Sequence, residues 1–191
     1  MDAAETRHPS HSERLYAAIE ALPEGVVGEI MNGGLYVHPR PAARHSAVAT
    51  GLMMRLGSPF HFGEGGPGGW WILDEPEVHF QRDVEIVVPD IAGWRRERMP
   101  QLPDDQRFEV VPDWICEVLS PSTASQDREI KMPLYAHYGV NHAWLVDPKA
   151  KRIDVYSRDG DAWQHVATCA GEQRIAAPPF DAVALPPPWV D

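Results

Sequence analysis

The sequence predicts a mixed α/β fold of the α+β type, with a central mixed β-sheet flanked by helices, and three observations support this prediction. Apolar residues recur at helical spacing, most clearly over residues 42–56 and 127–138. Short apolar runs bounded by turn residues predict strands, most clearly at 84–88 and 114–119. Hydrophobic residues make up 43% of the chain and charged residues 24%, which is typical of a globular domain.

The first half of the chain predicts a helix, a hairpin and a second helix, followed by strands. Ser12 is placed to cap the first helix, over residues 13–22. The triplet Asn-Gly-Gly at 32–34 predicts the turn of a hairpin. The hairpin strands are expected at 26–31 and 35–37, and further strands, after a glycine-rich loop at 63–69, at 70–73, 77–80 and 84–88.

The second half predicts a buried strand, a helix and an antiparallel meander. The strand at 114–119 leads to a helix over 127–138, in which Pro133 predicts a kink or a late start. The meander strands are expected at 143–146, 153–156 and 163–168. Because the 191 residues are the size of one domain, we expect a single domain over 1–191. Its ends, 1–11 and 178–191, are expected to be peripheral, the second as a Pro-rich surface strap.

The charge of the chain excludes a simple non-specific coat for nucleic acid. Lys and Arg number 17 and Asp and Glu 28, which gives a net charge of −11, whereas such a coat is basic. Binding of nucleic acid would therefore need bound cations or a local basic strip. The candidates for the strip are Arg40 and Arg44, the group Arg95, Arg96 and Arg98, and the group Lys149, Lys151 and Arg152. The favoured alternative is that these residues occupy solvated turns and helix faces.

The cellular location expected from the sequence is the cytoplasm. Cys116 and Cys169 lie far apart without metal-type spacing, and no disulfide framework is indicated. The N-terminal residues are polar and lack the apolar core of a signal peptide. No apolar run approaches the roughly 20 residues that span a bilayer, so no membrane association is expected.

Two carboxylates indicate a metal site. Side chains alternate along a strand, so Glu117 shares its face with Ile115 and Leu119. A carboxylate on an apolar face is costly unless a cation or hydrogen bonds satisfy it; the alternative is a strand-end residue that reaches solvent or pairs with an Arg. Asp90 ends the predicted strand 84–88 and would converge with Glu117 if the strands are neighbours. A divalent cation such as Mg²⁺ would relieve their repulsion and face a phosphate.

Asp113 and Lys131 are two further candidates for this site. Asp113 lies four residues before Glu117 on one strand, about 13 Å away at roughly 3.3 Å per residue, too far to share a cation. Lys131 lies at the edge of the apolar stripe that Ile130 begins, from where its ammonium could reach Glu117. There it could position a water or stabilise charge on a phosphate. The alternative is a weak pair with Asp127 on a solvated face.

These residues carry a resemblance to a known family. Pro89-Asp90, followed by Glu117 in an apolar strand, resembles the PD-(D/E)XK nuclease superfamily, although Leu119 stands where that pattern has its lysine. The segment from Glu117 onward closely resembles the Uma2 family of restriction endonucleases. The matching positions are 117–123, 127–128, 131, 135, 139–140 and 144–148, and a looser resemblance extends from about 22 to 156. In that family the lysine has moved to the following helix, which matches Lys131.

The resemblance implies a restriction-endonuclease-like core and further site residues. It matches Glu29 to an early acidic position before a hairpin and His45 to a recurrent histidine, as supporting residues. The implied activity is hydrolysis of phosphodiester bonds in nucleic acid, expected to be DNA. Asp90, Glu117 and the Val118 carbonyl would bind Mg²⁺, with Mn²⁺ as a substitute, and Lys131 would assist.

Other functions remain open at this point. One alternative is a catalytically inactive module that binds nucleic acid or protein and keeps the nuclease fold. Another is a hydrolase of small phosphorylated or nucleotide substrates, which would need no basic footprint.

A homodimer is expected for a nuclease that cuts both strands of a duplex. Trp94, beside the Arg95 group, is a candidate for base stacking, although packing in the core is favoured.

Overall fold

A computed structural model describes residues 8–39 and 41–189. Positions 1–7, 40 and 190–191 lie outside the described residues; they include the candidate Arg40 and parts of both predicted peripheral ends. No helix in the described part of the chain is long and apolar enough to cross a membrane.

The chain begins with a helix, a hairpin and a second helix, as predicted. Helix α1 spans His11–Glu20, and its N-cap is Ser10 rather than Ser12. Ser10 accepts a hydrogen bond from the backbone of Glu13, whose carboxylate accepts the N–H of Ser10 in return. Strands β1 (Val26–Met31) and β2 (Gly34–Pro39) form the hairpin, and helix α2 (Ala43–Leu56) follows, extended by a π-helical turn at Gly57–Phe62.

The remaining elements build two sheets and a third helix. The strands are β3 (Trp70–Asp74), β4 (Glu77–Gln81), β5 (Glu85–Val87), β6 (Ile91–Arg95), β7 (Arg107–Phe108), β8 (Trp114–Val118), β9 (His142–Asp147), β10 (Arg152–Asp159) and β11 (Ala162–Ala170). Helix α3 has three consecutive segments, Ala124–Gln126, a π-helical turn at Asp127–Lys131, and Met132–His137.

The mixed α/β class is confirmed, but the strands divide into two mixed sheets rather than one. A five-stranded sheet has the order β2-β1-β5-β4-β7, and a six-stranded sheet has the order β11-β10-β9-β8-β6-β3. Each contains one parallel pair, β4 with β7 and β8 with β9. The predicted meander forms the antiparallel strands β9, β10 and β11 at one edge of the larger sheet.

Strand β6 was not predicted. Its presence changes the position of Asp90 in the fold. The prediction placed Asp90 at the end of a strand over 84–88, whereas the observed strand β5 ends at Val87 and belongs to the smaller sheet. Asp90 instead directly precedes β6, which pairs antiparallel with β8. The chain crosses between the sheets at Pro89, which has no N–H to continue a ladder.

The buried face of α3 is also rotated from the predicted one. Ile130 and Tyr138 are only partly buried, whereas Asp127, Lys131 and Tyr135 point inward. A regular helical period was assumed for the prediction, but the π-helical turn widens this segment. A kink or a late start was predicted at Pro133. The observed irregularity is the π-helical turn, which ends at Lys131, two residues before Pro133.

The Pro-rich strap contributes to the core. Phe180 is fully buried and packs against the rings of Trp70, Trp114 and Trp144 at centroid distances of 4.8, 4.9 and 5.7 Å. The indole of Trp144 donates a hydrogen bond of 2.7 Å to the carbonyl of Pro178. The strap therefore closes one face of the six-stranded sheet.

This packing gives a prediction for stability. Phe180→Ala should lower the free energy of unfolding by about 3–5 kcal/mol, because it leaves a cavity among three indole rings. Urea denaturation followed by tryptophan fluorescence measures the change. Phe62→Ala is the matched control, since Phe62 is 72% exposed and should change stability by less than about 1 kcal/mol. Equal stability of the two variants would contradict a core role for the strap.

Candidate active site

A cavity of about 390 Å³ opens between the two sheets and contains the predicted site residues. Its lining includes Glu29, His45, Asp90, Glu117 and Lys131. These residues come from β1, α2, the start of β6, β8 and α3, so the tertiary fold alone brings them together. Val118 contacts this group through its backbone.

Asp90 and Glu117 are linked through the backbone of the neighbouring strands. The N–H of Asp90 donates to Oε2 of Glu117 at 3.4 Å. The N–H of Val118 donates to Oδ2 of Asp90 at 2.6 Å. The two carboxylates therefore lie side by side at the point where β6 and β8 pair. The N–H and C=O of one strand residue point to the same side, so the Val118 carbonyl is directed towards Asp90.

Lys131 is held by the protein through three acceptors. Its Nζ lies 2.8 Å from Oε1 of Glu29, 3.3 Å from Oε1 of Glu117 and 3.2 Å from the carbonyl of Val88. These contacts match the three hydrogens of an ammonium group. Burial would lower the pKa of Lys131, but the neighbouring carboxylates outweigh it and raise that pKa. Lys131 is therefore a fully charged, buried cation.

The alternative position of Lys131, on a solvated face with Asp127, is wrong. The side chains are both buried, with 5% of Lys131 and 3% of Asp127 exposed. The π-helical turn directs them into the cavity rather than to solvent.

Of the three acceptors, Glu29 lies nearest to the ammonium group of Lys131. Besides the lysine, it accepts hydrogen bonds from the N–H of Val88 at 2.8 Å and from the amide of Gln126 at 3.3 Å. Its Oε2 also lies 3.5 Å from Nε2 of His38. Burial alone would raise the pKa of Glu29, but the charge of Lys131 and these hydrogen bonds hold it below its ordinary value. Glu29 is thus an ionised carboxylate.

The pKa of Glu117 is shifted in the opposite direction to that of Glu29. Burial raises its pKa well above the ordinary value; Lys131 opposes this shift, and the charges of Asp127 and Asp90 add to it. The Tyr135 hydroxyl donates a short hydrogen bond to Oε1 of Glu117, the oxygen that also faces Lys131. Oε1 is engaged twice, whereas within the described residues Oε2 accepts only the long hydrogen bond from the N–H of Asp90 and keeps capacity for a further ligand.

Asp127 and His45 are two further ionisable groups of the cavity. Burial raises the pKa of Asp127 to about 6, with Lys131 opposing the shift. His45 lies with Nε2 3.1 Å from Oδ2 of Asp90. Burial would lower the pKa of His45, but the hydrogen bond to Asp90 outweighs it and raises that pKa. His45 therefore fixes the orientation of the Asp90 carboxylate.

Several residues of the site were not predicted. Tyr135 and Asp127 belong to the run that resembles Uma2, but neither was assigned a role. Residues 127, 131 and 135 recur at steps of four on one helix, which was the available signal. Gln126 gave no signal, because its contact with Glu29 depends on the packing of α3 against the hairpin. His38 lies two residues beyond Tyr36, the cross-strand partner of Glu29, so the pairing of the hairpin was the available signal for it.

The candidates for nucleic-acid contacts are largely engaged elsewhere. Trp94 is fully buried and donates to the carbonyl of Val110, so its role is packing. The guanidinium of Arg96 lies 3.9 Å from the centre of the Trp71 ring, and Arg98 pairs with Asp113 at 2.8 Å. Arg44 is exposed on the first turn of α2, next to His45, and Lys149 and Arg152 are exposed as well.

The residues of the cavity fit a divalent cation. No three His, Cys, Asp or Glu side chains in the described ranges form a ready-made metal cluster. However, Asp90, Glu117 and the Val118 carbonyl offer hard oxygen donors, which suit Mg²⁺ with water and phosphate oxygens completing its shell. Four buried or half-buried acids face one lysine and two histidines, His38 and His45, here; the acids are Glu29, Asp90, Glu117 and Asp127. This excess of negative charge favours a cation.

The fold and this cavity together define the class of restriction-endonuclease-like proteins. The family model Uma2, described as "Putative restriction endonuclease", matches residues 13–187, and the chain therefore belongs to the Uma2 family. Nuclease-type activity is accordingly its functional class. Enzymes of the restriction-endonuclease-like kind commonly use a divalent metal.

A solved structure supports the fold. The crystal structure of a protein from Anabaena variabilis, described as "a putative nuclease belonging to DUF820", superposes with a TM-score of 0.71. The alignment has 21% identity and covers 90% of this chain and 94% of that chain. At this identity the likeness concerns the fold. No curated protein matches the chain.

The raised pKa of Asp127 gives a prediction for stability against pH. Its folded-state pKa of about 6 exceeds the ordinary 3.8, so folding favours the protonated form. The stabilising contribution is therefore complete below pH 3.8 and is lost as pH rises through about 6. In EDTA, the free energy of unfolding should fall over this interval, and Asp127→Asn should reduce the fall.

The measurement is urea denaturation at a series of pH values for both proteins and for a matched control. Asp161→Asn removes an exposed carboxylate in the turn between β10 and β11 and should keep the wild-type slope. A wild-type slope in Asp127→Asn would show that Asp127 is not the group that titrates.

Proposed function

We propose that this protein is a metal-dependent endonuclease that hydrolyses phosphodiester bonds in DNA, with Asp90, Glu117 and Lys131 as its catalytic residues. The observation that carries the proposal is the buried excess of carboxylates, gathered around one lysine in a cavity that opens to solvent. Membership of the Uma2 family supports the class of reaction.

The metal-binding residues in this proposal are Asp90, Glu117 and the carbonyl of Val118. Mg²⁺ is the expected ion and Mn²⁺ a substitute, because both accept oxygen ligands. A bound divalent cation would supply an activated water and a clamp on the scissile phosphate. His45 orients Asp90, and Tyr135 and Lys131 hold one oxygen of Glu117 so that the other is directed to the ligand.

Lys131 contributes its charge from a fixed position. Its three hydrogens already face Glu29, Glu117 and the Val88 carbonyl, so it offsets negative charge on a phosphate through space or by exchanging one partner. Glu29 supports catalysis by keeping this ammonium in place. The low dielectric of the buried site strengthens such preorganised charges.

The same saturation of Lys131 favours a second candidate function. A lysine with all three hydrogens engaged has none left for a substrate, which suits a module that binds nucleic acid without cutting it. The net charge of −11 disfavours nucleic acid as a ligand, and therefore favours protein as the partner of a module that does not cut. A homodimer would suit cutting of both strands in a duplex and is checked by light scattering after gel filtration.

The proposal is tested by incubating the protein with supercoiled plasmid, single-stranded DNA and RNA in Mg²⁺, Mn²⁺ or EDTA. Glu117→Gln and Lys131→Met should each reduce the cutting rate by about 100-fold or more, because they remove charge that acts on the transition state. Asp161→Asn is the control and should cut at the wild-type rate.

The outcomes separate the two candidates. Cutting that persists in EDTA or in folded Glu117→Gln would contradict the assigned site. Absence of cutting on every polymer, while Mn²⁺ and nucleic acid still bind, would favour the binding module.

A further inference from the structure

A second cavity adjoins the catalytic one. It measures about 520 Å³, lies between α1 and the ends of β1, β3 and β4, and shares Val27, Glu75 and Val88 with the catalytic cavity. The N–H of Val88 donates a hydrogen bond to Glu29, and the carbonyl of Val88 accepts one from Lys131. A group bound in the second cavity would therefore lie next to a phosphate bound in the first.

The walls of the second cavity are apolar and partly exposed. They include Leu22, Val26, Leu73 and Phe108. The Phe108 ring stacks on the buried indole of Trp94, at 5.0 Å between centroids and 29° between planes. Phe108 is therefore held rigidly by the core. Such walls, with an aromatic ring among them, suit a flat heteroaromatic ring rather than a charged group.

The polar groups of the second cavity accept hydrogen bonds. Among the described residues that line it, none is Lys, Arg or His, and three are the acids Asp74, Glu75 and Glu77. Phosphate is excluded by this charge, whereas a ligand with N–H donors is favoured. Gln106, which is exposed at the rim, adds an amide with both donor and acceptor capacity.

Glu77 is positioned for such a ligand. Its Oε1 accepts from the Tyr16 hydroxyl at 3.1 Å and lies 2.6 Å from Nε2 of His79. Because Nδ1 of His79 accepts the N–H of Asp83 at 3.1 Å, the donor hydrogen of a neutral His79 is on Nε2. The carboxylate is thus fixed through one oxygen, and within residues 8–39 and 41–189 no hydrogen bond to Oε2 is found.

We infer that the second cavity binds an unpaired nucleobase of the substrate strand, with guanine preferred, so that the enzyme acts on single-stranded or locally opened nucleic acid. The inference rests on the proposed function, since it places the base beside the scissile phosphate. The Watson–Crick edge of guanine offers an N1–H and an amino group to a carboxylate such as Glu77. This edge is accessible only when the base is unpaired.

The inference is tested by binding, separately from cleavage. A fluorescein-labelled oligothymidine with one central guanine is titrated in Ca²⁺, and fluorescence anisotropy gives its Kd. The same strand is also titrated with hypoxanthine, which lacks the amino group, in place of guanine, and as a duplex. Val26→Trp fills the second cavity without touching the catalytic one, and Val166→Trp, on β11, is the matched control.

The wild-type protein should bind the guanine strand most tightly, the hypoxanthine strand more weakly and the duplex weakest. Val26→Trp should weaken binding of the guanine strand by about tenfold or more, the scale of one lost base-stacking contact, while Val166→Trp binds normally. Glu77→Gln should bind the guanine and hypoxanthine strands equally. Circular dichroism establishes that each variant is folded.

The results separate this inference from the proposed function. If Val26→Trp binds like wild type, or if folded Glu77→Gln still prefers guanine, the base site is wrong even if the enzyme cuts DNA. If the binding pattern holds but no polymer is cut in Mg²⁺, the base site stands and the hydrolase proposal fails. If no strand binds, the inference is overturned.

Discussion

The buried ion cluster of Lys131 with Glu29 and Glu117 is the interaction on which the site depends. Glu29 belongs to the five-stranded sheet, Glu117 to the six-stranded sheet and Lys131 to helix α3. The cluster therefore joins three parts of the fold at one point. Removal of one member of such a buried pair typically costs about 3–5 kcal/mol, because the remaining charge is left without a partner. Each of the three residues therefore contributes to the stability of the arrangement.

The cluster also explains why the cavity favours a cation. Lys131 satisfies Glu29 and partly satisfies Glu117, but Asp90 and Asp127 add further negative charge beside them. Burial, with the charges of Asp127 and Asp90 adding to it, raises the pKa of Glu117 and so favours a bound proton. A divalent cation can replace that proton and bring oxygen ligands, water and phosphate together. The excess of carboxylates in the cavity therefore accounts both for its electrostatics and for the proposed binding of a metal ion.

Part of this account could be predicted from the sequence. Strand periodicity placed Glu117 on the inner face of β8, and the motif around it indicated Lys131 on the following helix. The strand that follows Asp90 was missed, because the apolar run 84–88 was read as one strand that ends at Asp90. The crossing of the chain between the two sheets at Pro89 was therefore not recognised. The buried face of α3 was misjudged, because a π-helical turn cannot be recognised from a period of 3.6 residues. The second cavity depends on how α1 packs against the strand ends, which local patterns do not specify.

Asp90 and Glu117 are proposed to form one cation site, and direct measurement of Mn²⁺ binding tests this site most simply. Isothermal titration calorimetry, with electron paramagnetic resonance of free Mn²⁺ as a second readout, should give one ion per chain at neutral pH. Asp90→Asn and Glu117→Gln should each weaken binding by about tenfold or more, as loss of a charged ligand implies, while Asp161→Asn binds like wild type. Undiminished Mn²⁺ binding by folded Asp90→Asn and Glu117→Gln would contradict the account.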